Sequence, residues 1–207
     1  MENGCEVDEE ACVVAAKCGH LEVLQWMRAN AWRANSCPWD KDILIKGAQG
    51  GSLEVIQWLR VAQRCRWSPE AIKGAAKRGH LDAVKWLRAN GCPWDAGTCS
   101  VAAQFGYLEI LRWALENGCE WEDEVCAMIA AKCGHLEVLQ WMRAEGRPRL
   151  WGLLACHSAV ESGQVEVLRW ARANGARWTA ATRDKAAAKF GYTDNLGNLL
   201  VGNPLVE

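Results

Sequence analysis

One glycine recurs down the chain in near-constant surroundings: Gly19-His20-Leu21, Gly51-Ser52-Leu53, Gly79-His80-Leu81, Gly106-Tyr107-Leu108, Gly134-His135-Leu136, Gly163-Gln164-Val165 and Gly191-Tyr192-Thr193. The spacings are 32, 28, 27, 28, 29 and 28 residues. A unit of about 20 to 50 residues that recurs in this way builds a solenoid, a propeller or an array, because each copy is too small to bury its own apolar face and shares a core with its neighbours. The segment Ala15–Ala29 returns unchanged as Ala130–Ala144, which marks internal duplication. One repeated array, residues 1–207, is therefore expected rather than two unrelated domains.

The residues within a unit predict two helices. Asp95, before Ala102-Ala103 and Gly106, is placed to cap a first helix, and Gly106 to end it in the left-handed conformation that glycine tolerates. Ser68-Pro69-Glu70 gives the same start signal one unit earlier. After the glycine, Leu108, Ile110, Leu111 and Ala114 or Leu115 recur at helical spacing, with Glu109 and Arg112 on the wet side. Gly118 supplies a second stop in the link Asn117–Trp121. No alternating apolar-polar run suggests a strand. The units fall at approximately 5–36, 37–64, 65–91, 92–118, 119–146, 147–175 and 176–207. The 32-residue spacing places an insertion around Ala31–Asn35, which lengthens a helix or bulges a loop. Met1–Cys5 matches Leu115–Cys119, so the array is expected to start inside a unit. At the other end, Leu196, Leu199 and Leu200 keep helical spacing while Asn198 stands at the Trp site, as in an atypical terminal repeat.

Ala75–Val84 and Ala102–Leu111, with their small-small-x-x-Gly-(His/Tyr)-Leu-acidic core, resemble ankyrin repeats, closest to the shortened, Trp-rich kind. The resemblance recurs seven times along nearly the whole chain. It implies an all-α, right-handed ankyrin-like solenoid of about seven helix-turn-helix repeats. The family unit is about 33 residues, and this one is about 28. The difference corresponds to the projecting β-hairpin, so long hairpins and finger-tip contacts are not expected. The family's Thr-Pro-Leu-His start is also missing, Cys156-His157 being the nearest approach. By the same resemblance the chain is a protein-protein interaction scaffold that binds through its concave face, at the two residues before each Gly-His-Leu segment. The candidates are Lys17, Lys77, Arg78, Gln104, Phe105, Lys132, Lys189 and Phe190.

Composition narrows the alternatives. With a net charge of −1 the chain lacks the overall basic balance of a dedicated nucleic-acid binder. Locally, Arg60 to Arg88 carries an excess of six positive charges, which keeps a second reading open: nucleic-acid or phospho-ligand binding through that patch. A third reading is a duplicated gene fragment with no selected partner. The acidic N-terminus and the absence of a long uncharged apolar run point to an intracellular chain, cytoplasmic or nuclear, with no membrane partner. Another protein is the expected partner of a monomer.

Thirteen tryptophans beside two Phe and two Tyr could stack on sugars or bases, but their register argues for packing. Trp26, Trp58, Trp86, Trp113, Trp141 and Trp170 share one site in the second helix, and Trp39, Trp67, Trp94, Trp121, Trp151 and Trp178 share the inter-unit loop, with Trp32 in the insertion. Eleven cysteines likewise recur by site: five in the loop (Cys5, Cys37, Cys65, Cys92, Cys119), four in the first helix (Cys12, Cys99, Cys126, Cys156), and Cys18 and Cys133 before the glycine. Packed helices stand about 8–10 Å apart, beyond the roughly 7 Å reach of a disulfide. Equivalent cysteines of adjacent units should therefore remain free thiols. Cys18-Gly19-His20 and Cys133-Gly134-His135 each offer two zinc ligands, with no second pair at zinc-site spacing. No nucleophile stands with its base and orienter, so neither an enzyme nor a cofactor is expected.

Overall fold

A computed structural model describes residues 9–30, 39–146 and 151–190, with Trp151 described in its backbone alone. These residues form thirteen helices and no strand: α1 (Glu9–Lys17), α2 (Leu21–Ala29), α3 (Lys41–Gly50), α4 (Leu53–Val61), α5 (Pro69–Ala76), α6 (Leu81–Ala89), α7 (Ala96–Phe105), α8 (Leu108–Glu116), α9 (Asp123–Cys133), α10 (Leu136–Ala144), α11 (Trp151–Ser162), α12 (Val165–Ala173) and α13 (Ala180–Phe190). Odd-numbered helices are the first of their unit and even-numbered helices the second. The expected insertion at 31–35, Trp32, Cys5, Cys37, the partial unit at Met1–Cys5 and the terminal cap beyond residue 190 lie outside the described residues.

The first helices pack side by side in one row, α1 on α3 and so on to α13, and those from α1 to α11 also pack on the second helix of their own unit. Small residues permit the close approach: Ala15-Ala16, Gly47-Ala48, Ala75-Ala76, Ala102-Ala103 and Ala130-Ala131 are all buried where the rows meet. The second helices contribute larger aliphatics at i, i+1 and i+4, such as Val55, Ile56 and Leu59, then Ala83, Val84 and Leu87. Each such Leu, Ile or Val, fully withdrawn from water, contributes about 1.5–3 kcal/mol, so the stack is held by shared interfaces rather than by single units.

The helix ends follow the residues. Asp95 Oδ1 accepts from the Gly97 amide at 2.9 Å and Ser68 Oγ from the Glu70 amide at 3.3 Å, with Pro69 opening α5. Gly106 ends α7 at φ 74°. Second helices end on a different device: the side-chain amides of Asn30, Asn90, Asn117 and Asn174 donate to the carbonyls of Trp26, Trp86, Trp113 and Trp170 at 2.8–2.9 Å. After Asn90, Asn117 and Asn174 the next residue takes positive φ, at Gly91, Gly118 and Gly175. Arg64 is the exception, holding φ 54° at the site where those units use glycine.

Two expectations are corrected. Trp151 is not in a loop but is the first residue of α11, because that unit's first helix, at 12 residues, starts earlier than the others relative to its glycine. Cys12 is not a free thiol; it is disulfide-bonded. The spacing argument excluded bridges between equivalent sites of adjacent units and left non-equivalent sites open. The other described cysteines are free.

Candidate protein-binding face

The unit junctions decide which surfaces remain available. Within each junction the residue after the repeated glycine reaches back one unit. His80 Nε2 donates to the Gln49 carbonyl at 3.1 Å and His135 Nε2 to the Gln104 carbonyl at 2.8 Å, while Gln164 Nε2 donates to the Lys132 carbonyl at 3.3 Å. Each lies over the preceding unit's glycine so closely that a Cβ on Gly51, Gly106 or Gly134 would stand 2.5 Å from it. The Tyr107 ring occupies the same place over Gly79. The glycine is therefore required twice, for its left-handed backbone and for the side chain seated on it. His80 and His135 thus join units, and among the described residues no group of three or more His, Cys, Asp or Glu could hold a metal ion.

The tryptophans form a packing ladder on the other side. Loop and second-helix rings of a unit meet edge to face with centroids 5.5–6.4 Å apart, as in Trp39–Trp58, Trp67–Trp86, Trp94–Trp113 and Trp121–Trp141. The arginine near the end of the preceding second helix covers the loop ring: Arg60 over Trp67 at 4.4 Å, Arg88 over Trp94 at 4.5 Å and Arg172 over Trp178 at 4.6 Å. Trp26 alone among the second-helix tryptophans is exposed, at 57%.

Loop cysteines close the same junctions, Cys92 Sγ donating to the Ser68 carbonyl and Cys119 Sγ to the Asp95 carbonyl, both at 3.4 Å. Burial pushes the thiols of Cys65, Cys92, Cys126 and Cys156 up to about 11, so they stay protonated and unreactive at neutral pH.

These contacts divide the basic stretch. Arg60 and Arg88 are spent on tryptophan rings, and Lys73 is held between Glu70 at 3.0 Å and Asp95 at 2.9 Å. Arg64 and Arg66 lie in the link after α4, Lys85 on α6, and Lys77 and Arg78 at the end of α5. The charge excess read along the sequence is thus distributed over several elements.

What stays exposed on the first-helix row repeats at i, i+4 and i+8, the spacing of one helix face: Glu124, Met128 and Lys132 on α9, and Leu153, His157 and Glu161 on α11. Gln104 occupies the Lys132 position on α7, with Phe105 beside it. The Lys77 ammonium lies 5.6 Å from the Phe105 ring centroid. Phe105 is 38% exposed, Met128 37%, Leu153 41% and Leu154 37%. Three consecutive first helices thus carry apolar side chains into solvent. Met128, Leu153 and Leu154 were missed by attention to the two residues before the glycine, although Met128 lies four residues before Lys132 and Leu153 and Leu154 lie eight and seven before Glu161, spacings of one helix side that are readable from the sequence.

The remaining candidates separate. Lys17 and Arg78 are exposed, at opposite ends of the first three units. Lys189 Nζ donates to the Val160 and Glu161 carbonyls at 2.9 and 2.7 Å, doing for α11 what histidine does elsewhere. Phe190 packs half-buried against the core. The Lys185–Glu161 ion pair, with His157 at 3.9 Å from Glu161, ties α13 to α11 on the same face. A cleft between α8 and α10, lined by Arg112, Leu115, Glu116, Trp141 and Glu145, lies on the second-helix side.

Against known proteins, residues 99–182 match the family model of ankyrin repeats, in three copies. No curated protein matches the chain. No helix among the described residues is long and apolar enough to cross a membrane.

Proposed function

We propose, from the premise that this is an ankyrin-repeat chain and that such repeats are protein-protein interaction modules, that it binds another protein through the exposed face of its first helices. Phe105, Met128, Leu153 and Leu154 form the apolar centre of that face, and Lys77, Arg78, Gln104 and Lys132 its polar rim. The observation that carries this reading is the exposure of large apolar side chains on three consecutive first helices, α7, α9 and α11. Side chains left in water in adjacent copies, where Ile110, Leu111, Val138, Leu139, Val167 and Leu168 are buried, have the composition of an interface centre with a polar surround. The rim at Lys77, Arg78 and Lys132 favours a segment that alternates acidic and apolar residues. Lys17, at the far end of the row, Lys189, engaged with the carbonyls of α11, and Phe190, half-buried against the core, lie outside this centre.

The test is selection from a displayed peptide library with the wild type, followed by calorimetric titration of the selected peptide. Three folded variants are compared: Arg78→Glu with Phe105→Ala, Met128→Glu with Leu154→Glu, and Glu109→Ala on the second-helix side. Acidic-apolar peptides whose affinity falls at least tenfold in the first two variants and is unchanged in the third are expected. Peptides that bind the face variants as well as the wild type would place the interaction elsewhere.

A further inference from the structure

Two cysteines at different repeat positions meet inside the fourth unit. Cys99 lies on α7, seven residues before Gly106, and Cys119 in the link after α8, thirteen residues after that glycine. The chain turns back at this link, the Cys119 amide closing on the Ala114 carbonyl at 2.9 Å. The Cys99 thiol donates to the Cys119 sulfur, and the Cys119 thiol donates onward to the Asp95 carbonyl at 3.4 Å. Cys99 is fully buried, while Cys119 keeps 6% of its surface in contact with solvent. Neighbouring units do not repeat the pair. At the Cys99 position the second and third units carry Leu44 and Ile72 with their loop cysteines Cys65 and Cys92, and the sixth carries Cys156 with Ala176 at the loop site. Cys12, seven residues before Gly19 on α1 and so the counterpart of Cys99, is disulfide-bonded. This position on a first helix of the stack therefore accepts a disulfide.

We propose that Cys99 and Cys119 form a redox site, which hydrogen peroxide closes to an intrachain disulfide that fastens α7 to the link after α8. The hydrogen bond from Cys99 holds the Cys119 thiol below its ordinary range against the desolvation of its site, and the same bond raises Cys99. Cys119, which also has the access to solvent, is thus the attacking sulfur. As thiolate it displaces hydroxide from the peroxide: an S–O bond forms, the O–O bond breaks, and the hydroxide takes up the thiol proton as water. The Cys99 sulfur then attacks the sulfenic sulfur, forming S–S and breaking S–O, and its proton leaves with the hydroxyl as a second water. Two electrons pass from the two sulfurs to one peroxide. Cys126 also acts on Cys99 electrostatically, but its own thiol is hydrogen-bonded to the Ser100 side chain and burial pushes it up to about 11. The proposal is independent of the first-helix face described above, since neither cysteine belongs to that face.

The test uses the folded full chain in a Cys18→Ser, Cys133→Ser background, which removes the exposed and the half-buried thiol. After hydrogen peroxide, denaturing alkylation and trypsin, mass spectrometry should show peptides 89–112 and 113–132 joined with the loss of two hydrogens, and dithiothreitol should separate them. The link should persist in Cys92→Ala and Cys126→Ala variants and vanish in Cys119→Ala. Cys99→Ala, which installs the residue that Ala127 supplies at this position in the fifth unit, is a second way of removing the pair, so the result does not depend on one variant folding. Closing a loop of about 20 residues should raise the melting temperature by at least about 5 °C, and peroxide should leave the melting of whichever single variant folds unchanged. The proposal is overturned if both cysteines stay open to alkylation after peroxide, or if either links to another cysteine instead. It is equally overturned if Cys119 proceeds to the sulfinic acid without a link, or if the link forms and the melting temperature does not rise.

Discussion

Replacing Gly106 by alanine separates the two demands made on the repeated glycine. At φ 74° an L-residue incurs left-handed strain of roughly 1–2 kcal/mol. The new Cβ would also stand 2.5 Å from His135 Nδ1, so the imidazole must leave and its 2.8 Å bond to the Gln104 carbonyl is lost, about 1 kcal/mol more. Gly118 provides the matched control, since its φ is 78° but nothing lies within 4 Å of its Cβ position. Gly118→Ala should therefore cost the strain alone. Gly106→Ala should cost about 1 kcal/mol beyond that, some 2–4 °C in melting temperature for a chain of this length. The assay is urea unfolding followed by far-UV circular dichroism, for each variant in the wild-type and His135→Ala backgrounds. In the second background the two glycine variants should cost the same. Equal costs already in the wild type would refute the claim that the neighbouring unit's imidazole makes the glycine obligatory.

Three more outcomes follow from particular residues. Thr98 is fully buried with its hydroxyl unpaired, at a site where the first, second, third and sixth units carry Ala11, Ile43, Ala71 and Ala155, so Thr98→Val should stabilise the chain by about 1 kcal/mol in urea unfolding. Arg64 holds φ 54° where its equivalents are glycine, and Arg64→Gly should raise the melting temperature, with roughly 1–2 kcal/mol of relieved strain outweighing about 0.5–1 kcal/mol of added chain entropy. Burial raises the thiols of Cys126 and Cys156 from 9.0 to about 11, so the folded chain keeps protons that the unfolded chain releases. Their contribution is complete below pH 9 and is lost as pH rises toward about 11; the decline in urea midpoint over that window should flatten in a Cys126→Ala, Cys156→Ala variant.

Much of the fold was legible because its signals are local. The caps at Ser68 and Asp95, the left-handed stop at Gly106 and the second stop at Gly118 depend on residues within a turn of one another, and the tryptophan register exposed the ladder as packing. What escaped depends on contacts between units. The repeated histidine looked like a family signature, and only its reach to the carbonyl 31 residues earlier in the chain shows what it does. The basic run from Arg60 to Arg88 looked like one patch because a sequence does not show which arginines lie on tryptophan rings. Likewise, Phe105 could be read as surface or core, and it is 38% exposed with a lysine over its ring. Cys12 was assigned by the rule for equivalent sites and is bonded outside it.

The reach of His80 and His135 into the unit before them gives the array a grammar. Every unit of this kind carries one donor that faces backward and one carbonyl and one bare glycine that face forward, so the hydrogen-bonding seam never falls inside a copy. Copying a whole unit, wherever the cut begins, reproduces a seam identical to those already there and leaves no orphaned partner. Copying a fraction strands a donor on one side and an acceptor on the other. Growth and shrinkage by whole units are thus chemically neutral at the junction, which is how fifteen residues can stand unchanged at two places in one chain.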